Sequence, residues 1–208
     1  MLSYQELAQA QSDAATELVY SGMPAEISRE LDDEHPVIPL AVDVCDDVAV
    51  TAVLSWTDQN HGREPGLWLQ QFRRRDGYWD RGGEQSTVLA AYPLAGRLPA
   101  PPGSPLMFLL GGPSPEPGRG PGERPWRWAA LYVTAAVARV RIGRREVPVP
   151  FHGYLPVAMT SPRGNPVTAL GSDGNRLEAL DLRRGATAMY REQRQRSPGG
   201  WPHRARRP

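Results

Sequence analysis

The side chains best equipped for chemistry here are four histidines, one cysteine, and a set of tryptophans next to arginines. His61 follows Asp58 and Asn60 in the polar stretch from Asp58 to Pro65. Asp58 and His61 would supply a carboxylate and an imidazole, half of a metal site. No second histidine stands at ligand spacing, so a solvated loop after a strand is the competing reading. No metal and no cofactor is expected. His35 follows three acids and reads as exposed, and His152 before Gly153 reads as a turn residue. Cys45 ends the apolar run VIPLAVDVC and reads as a buried, inert thiol. A lone cysteine also excludes an internal disulfide framework and a thiolate zinc site. The sequence has no Gly-x-Ser-x-Gly elbow, phosphate loop, His-Glu-x-x-His or Gly-x-Gly-x-x-Gly. No catalytic residue is assigned, and a non-enzymatic role is favoured.

Trp56, Trp68 and Trp79 fall on successive predicted strands, with Arg73, Arg74, Arg75 and Arg81 nearby. They allow two readings. The tryptophans and guanidinium groups form a surface for a glycan, nucleic acid or protein, or the tryptophans fill a core and the arginines face water. The candidate binding set is Trp56, Asp58, His61, Trp68, Arg74 and Trp79.

The elements that must position these residues are mostly strands. From Asp47 to Thr57 the side chains alternate. Val48, Val50, Ala52, Leu54 and Trp56 share one face, predicted buried, and Ala49, Thr51, Val53, Ser55 and Thr57 share the other. Leu67 to Arg75, then Asp76-Gly77, then Tyr78-Trp79 reads as a hairpin, because a type I′ turn needs positive φ at both central residues. Arg81-Gly82-Gly83 is expected to end it. Shorter strands are predicted over Ser86–Tyr92 and Leu106–Leu110. In the later stretch, Ala138, Val140 and Ile142 oppose Val137, Arg139 and Arg141. Val147, Val149 and Phe151 return after a Gly143 turn, and Pro148 and Pro150 put that strand at an edge. Gly153–Met159, Pro166–Leu170 and Arg176–Leu182 complete the set, the last two joined by a Ser172–Asn175 turn.

Ahead of the strands, Ser3 and Glu6 form a capping box. Leu7, Ala10, Ala14 and Leu18 then recur at helical spacing, predicting a helix from Ser3 to Tyr20 stopped by Ser21-Gly22. Its Ala-rich stripe predicts weak docking. A second short helical turn is expected from Met23 to Leu31. The fold class expected is all-β, an antiparallel β-sandwich of about 9–12 short strands with an N-terminal helix and a disordered basic tail. The divisions are an acidic helical lead-in (1–35), the β-domain (36–183) and the tail (184–208). Within the domain, residues 112–125 hold nine Gly or Pro in fourteen and read as a loop.

All 24 basic residues are arginine. That bias points to a GC-rich genome rather than to phosphate recognition. The net charge of +1 hides an asymmetry: residues 1–60 carry twelve acids and one arginine, a charge of −11, so the remainder carries +12. Such halves attract each other or a charged partner. The N-terminus lacks a basic and then apolar leader pattern, and no apolar run is long enough to span a membrane, so the cytoplasm is the expected location.

The run VARVRIGRREVPVPFHGYLPVAM, followed by Val167-Thr168-Ala169, Asp173-Gly174 and Leu177, resembles a module of uncharacterised actinobacterial β-sandwich proteins. It covers about a quarter of the chain and implies a sandwich with no transferable activity. The expected function is that of a protein-interaction module with an unidentified protein partner. The alternatives are a small enzyme with a loop-borne site near Asp58 and His61, and nucleic-acid binding through the Arg-rich tail.

Overall fold

The computed structural model describes residues 2–24, 30–59, 62–90, 92–100, 104–114, 125–161 and 164–182. The expected helical turn at Met23–Leu31 falls largely outside them, as do most of the Gly/Pro-rich stretch, His61 and the tail. The chain is mostly β, in antiparallel sheets, with one N-terminal helix.

Helix α1 spans Tyr4–Ser21. Ser3 caps it as its sequence requires: the Glu6 amide donates to Ser3 Oγ (3.3 Å) and the Ser3 amide donates to a Glu6 carboxylate oxygen (2.8 Å). Gly22, at φ 85°, ends it, and its N–H donates to the Leu18 carbonyl.

Eleven strands follow among the described residues: β1 (Val37–Cys45), β2 (Val48–Gln59), β3 (Gly62–Arg75), β4 (Tyr78–Val88), β5 (Leu106–Pro113), β6 (Arg127–Val133), β7 (Arg139–Ile142), β8 (Arg145–Val147), β9 (Tyr154–Met159), β10 (Pro166–Leu170) and β11 (Arg176–Asp181). They form three sheets ordered β1-β2-β3-β4, β5-β6-β9 and β11-β10-β7-β8.

Strand alternation decides how these sheets share cores. On β6 and β9 of the second sheet, Trp128, Ala130, Tyr132, Tyr154 and Ala158 join Val48, Val50, Ala52, Leu54, Leu67 and Leu69 of the first. Their neighbours Ala129, Leu131, Val133, Leu155, Val157 and Met159 join Val140, Ile142, Val147, Val167 and Ala169 of the third. The second sheet is therefore apolar on both faces, and its strands read as unbroken hydrophobic runs. Helix α1 covers the outer face of the first sheet, where Ala15, Leu18 and Val19 pack on Ala49, Val53, Trp68 and Phe72.

Several local expectations are corrected. Both faces of β2 are buried, because α1 closes over the one that holds Ala49, Thr51, Val53 and Ser55, and Gln11 Nε2 donates to Ser55 Oγ (2.9 Å). The α1 stripe docks firmly: Leu7, Ala15, Leu18 and Val19 are buried, and each large one contributes about 1.5–3 kcal/mol. The β3–β4 hairpin does not stop at Arg81-Gly82-Gly83. There Gln70 lies opposite Glu84 and Phe72 opposite Arg81, so one extra residue bulges from β4, which then runs on to Val88. Gln70 Nε2 donates to the carbonyls of Gly82 and Gly83, both at 3.1 Å, and so satisfies the bulge. β5 continues through Gly111-Gly112-Pro113, where a Cβ on Gly111 would lie 2.5 Å from the Trp128 carbonyl oxygen. β8 is an edge strand but ends at Val147, before Pro148.

One ionic clamp ties the three sheets together. Arg145 on β8 donates from both terminal nitrogens to Asp43 on β1, at 2.5 and 2.6 Å, and from Nη2 to the Ala158 carbonyl of β9 (2.8 Å). The Ala158 amide donates back to Asp43 Oδ2 (2.7 Å). The fork matches the carboxylate bidentately, which is the strong form of such a pair. Burial alone would lower the Arg145 pKa, but the Asp43 carboxylate outweighs it and holds the pKa above its ordinary value.

Candidate functional site

The outer end of the β3–β4 hairpin carries exposed aromatic and guanidinium groups close together. Asp76 (φ 49°) and Gly77 (φ 87°) both adopt the left-handed region that the Asp-Gly pair predicts. The turn leaves Tyr78 72% exposed. Next to it, the Trp79 amide donates to the Tyr20 hydroxyl (3.3 Å), so the last turn of α1 is tied to the hairpin. Tyr20 is itself 58% exposed. Arg74 lies opposite Trp79 in register and is exposed, while Trp79 is half-buried against the helix-facing core.

Below this end, facing the second sheet, is a hollow of about 50 Å³ lined by Arg73, Arg75, Asp80, Gly82, Ser114 and Trp126. That is room for about three or four waters, or one small polyatomic group. Arg73 Nε lies 3.9 Å from Asp47 and Arg75 Nη1 lies 3.5 Å from Asp80. Arg81 also borders the hollow, but its guanidinium reaches Asp13 of α1 at 3.8 Å. Ser114 Oγ donates to Oε1 of the buried Gln71 (2.7 Å), and the Ser114 amide donates to the Trp126 carbonyl (3.1 Å).

The structure brings together only part of the expected binding set. Arg74 and Trp79 stand side by side. Trp68 is buried under α1. Trp56 packs on the opposite face of the same sheet, its Nε1 donating to the Asp32 carbonyl (3.4 Å). Asp58 is carried by β2 opposite Arg63, and His61 lies outside the described residues. Tyr20, Gln71, Tyr78, Ser114 and Trp126 are not among the residues that sequence patterns single out. The Gly82-Gly83 pair beside the arginine run is the one available signal, since glycines inside a strand mark a bulge that re-aims neighbours.

His152 is buried between β1 and β9, not merely a turn residue. Its Nδ1 accepts from the Tyr154 amide (3.1 Å), which places the proton on Nε2, 3.3 Å from the Leu40 carbonyl oxygen. Burial pushes its pKa down to about 4. Cys45 is half-buried rather than buried, 4.0 Å from both Thr160 Oγ1 and Asp46 Oδ2. Among the described residues no group of three or more His, Cys, Asp or Glu is placed to hold a metal ion, and no helix is long and apolar enough to cross a membrane.

Comparison with family models, with curated proteins and with solved structures found no match to this chain.

Proposed function

We propose that this chain is a β-sandwich binding module that holds a protein partner at the outer end of its β3–β4 hairpin. The carrying observation is the aromatic and cationic side chains left exposed there. Tyr20 and Tyr78 are mostly exposed beside Trp79 and Arg74, although the same element buries Trp68, Leu67, Leu69 and Phe72. Tyrosine, tryptophan and arginine are the types enriched where binding energy concentrates, because each offers a large apolar face with a polar end. The hairpin is also braced: α1 holds it from one face and the Gln70 contacts fix its bulge. A braced element loses little conformational entropy on docking. The sandwich reading draws support from the cores shared between adjacent sheets.

The test is a photo-reactive amino acid placed at position 78 in the full chain and irradiated in its host cells. A control carries it at position 177, where Leu177 is also exposed but sits on β11. A discrete adduct from position 78 and none from 177 is expected. Identical adduct patterns from both positions would overturn the proposal.

A further inference from the structure

We infer that this chain self-associates through the outer edge of β4, two copies pairing antiparallel about a two-fold axis between Gly82 and Gly83. The inference does not depend on the partner proposed for the hairpin end.

The two edges of the first sheet differ. β1 lies against β9 and its neighbours: the Leu40 carbonyl faces His152 Nε2, the Val44 carbonyl accepts from Arg145, and Asp43 accepts from the Ala158 amide. β4 pairs with β3 alone among the described residues. Register shows which of its backbone groups face outward. The Arg74 amide donates to the Asp47 carbonyl (2.7 Å), on the β2 side of β3. Arg74 and Trp79 are therefore a non-hydrogen-bonded pair. The Trp79 amide points away from β3 and reaches the Tyr20 hydroxyl (3.3 Å). Alternation gives the same outward aim to Arg81, opposite Phe72, and past the bulge to Glu84 and Ser86, opposite Gln70 and Trp68. An outer strand 11 residues long, with such groups in a row, is a template for another strand.

The bulge and the charges select one self-pairing register. Outward residues stand two apart on either side of the bulge and three apart across it, from Arg81 to Glu84. A dyad between Gly82 and Gly83 sets bulge beside bulge. It brings Arg81 opposite Glu84 of the second copy, and Glu84 opposite Arg81 of the second copy. Ser86 then meets Trp79 of the second copy. A dyad on Arg81 or on Glu84 would instead set like charges face to face, which is destabilising. Arg81 and Glu84 are both exposed and share the α1 face, with Phe72 and Gln70 opposite them, so the two pairs form on one side of the joined sheet. Arg81 stands 3.8 Å from Asp13 of α1, and a guanidinium has five donors, enough to serve a second carboxylate. Gly82 and Gly83 place no side chain at the dyad. The Tyr20 hydroxyl holds the Trp79 amide, so the ladder ends on the Trp79 carbonyl and leaves the hairpin tip outside it.

Sedimentation equilibrium of the full chain tests this, with Arg81→Glu, Glu84→Arg and the double swap. The native chain is expected to pass from monomer to dimer as its concentration rises. Each single reversal sets like charges opposite each other twice per dimer and should weaken dimerisation about tenfold or more. The double swap should restore it. An equimolar mixture of the two single variants should associate more tightly than either variant alone, because two arginines on one strand then face two glutamates on the other. A native chain that stays monomeric at every concentration would overturn the inference. So would a dimer that both single reversals leave unchanged, since its contact would lie elsewhere.

Discussion

Two buried residues hold most of the testable chemistry. His152 is kept neutral because its ring is dry and its Nδ1 already accepts a hydrogen bond. In the unfolded chain it titrates near 6.5, and in the fold near 4. The unfolded state therefore binds the extra proton first as pH falls. The stabilisation from the neutral ring is complete above 6.5 and is lost between 6.5 and about 4. The full span is on the order of 3 kcal/mol. Urea denaturation from pH 7.5 to 4 should show this loss in the native protein, and His152→Gln should flatten it over that window. Asp43 is the second residue. Asp43→Ala strands the Arg145 guanidinium and removes the acceptor for the Ala158 amide. A loss of about 3 kcal/mol is expected in the same assay. Arg141→Ala, which breaks an exposed pair with Glu146, should cost under about 1 kcal/mol. None of this pairing is legible in the sequence: Asp43 and Arg145 lie 102 positions apart, and neither stands in a motif. Burial of a lone histidine likewise depends on which strand closes over it.

At the scale of elements, local chemistry is readable from sequence and coverage is not. The Ser3–Glu6 box, the Gly22 stop and the Asp76-Gly77 turn depend on neighbours within four residues, and all form as their sequences dictate. The second face of β2 is small and polar at Ala49, Thr51 and Ser55, which reads as solvated. It is buried only because α1 arrives there, and the small residues let the helix approach closely. The β4 bulge reads as a strand end, because Gly82-Gly83 looks like a turn without knowledge of Gln70 beneath it. Two substitutions check this level. Gln70→Leu leaves the Gly82 and Gly83 carbonyls without their donor and should cost about 1–3 kcal/mol. Gly153→Ala should cost more than about 2 kcal/mol, because Gly153 sits at φ 84° and a Cβ there would lie 2.5 Å from the Val133 carbonyl oxygen. Chemical denaturation of each variant measures both.

At the scale of the whole molecule, the charge asymmetry of the sequence is partly internal. Asp13, Asp43 and Asp47, all from the acidic first sixty residues, meet Arg81, Arg145 and Arg73 of the basic remainder. These contacts bring the halves together and cluster arginines where β3 and β4 turn. The Trp cluster stays ambiguous in the sequence for the same reason. Whether a tryptophan is core or surface depends on which sheet face is covered, and the first sheet is covered on both, by α1 and by the second sheet. Among the described residues of that set, Arg74 and Trp79 stay together at the open end, with Tyr20 and Tyr78 beside them. Hydrogen–deuterium exchange on the full chain, with and without the partner captured at position 78, tests the hairpin as a docking end most directly. Added protection should be confined to residues 74–81 and the last turn of α1. Protection centred on β7, β8 and β11, with residues 74–81 unchanged, would contradict it.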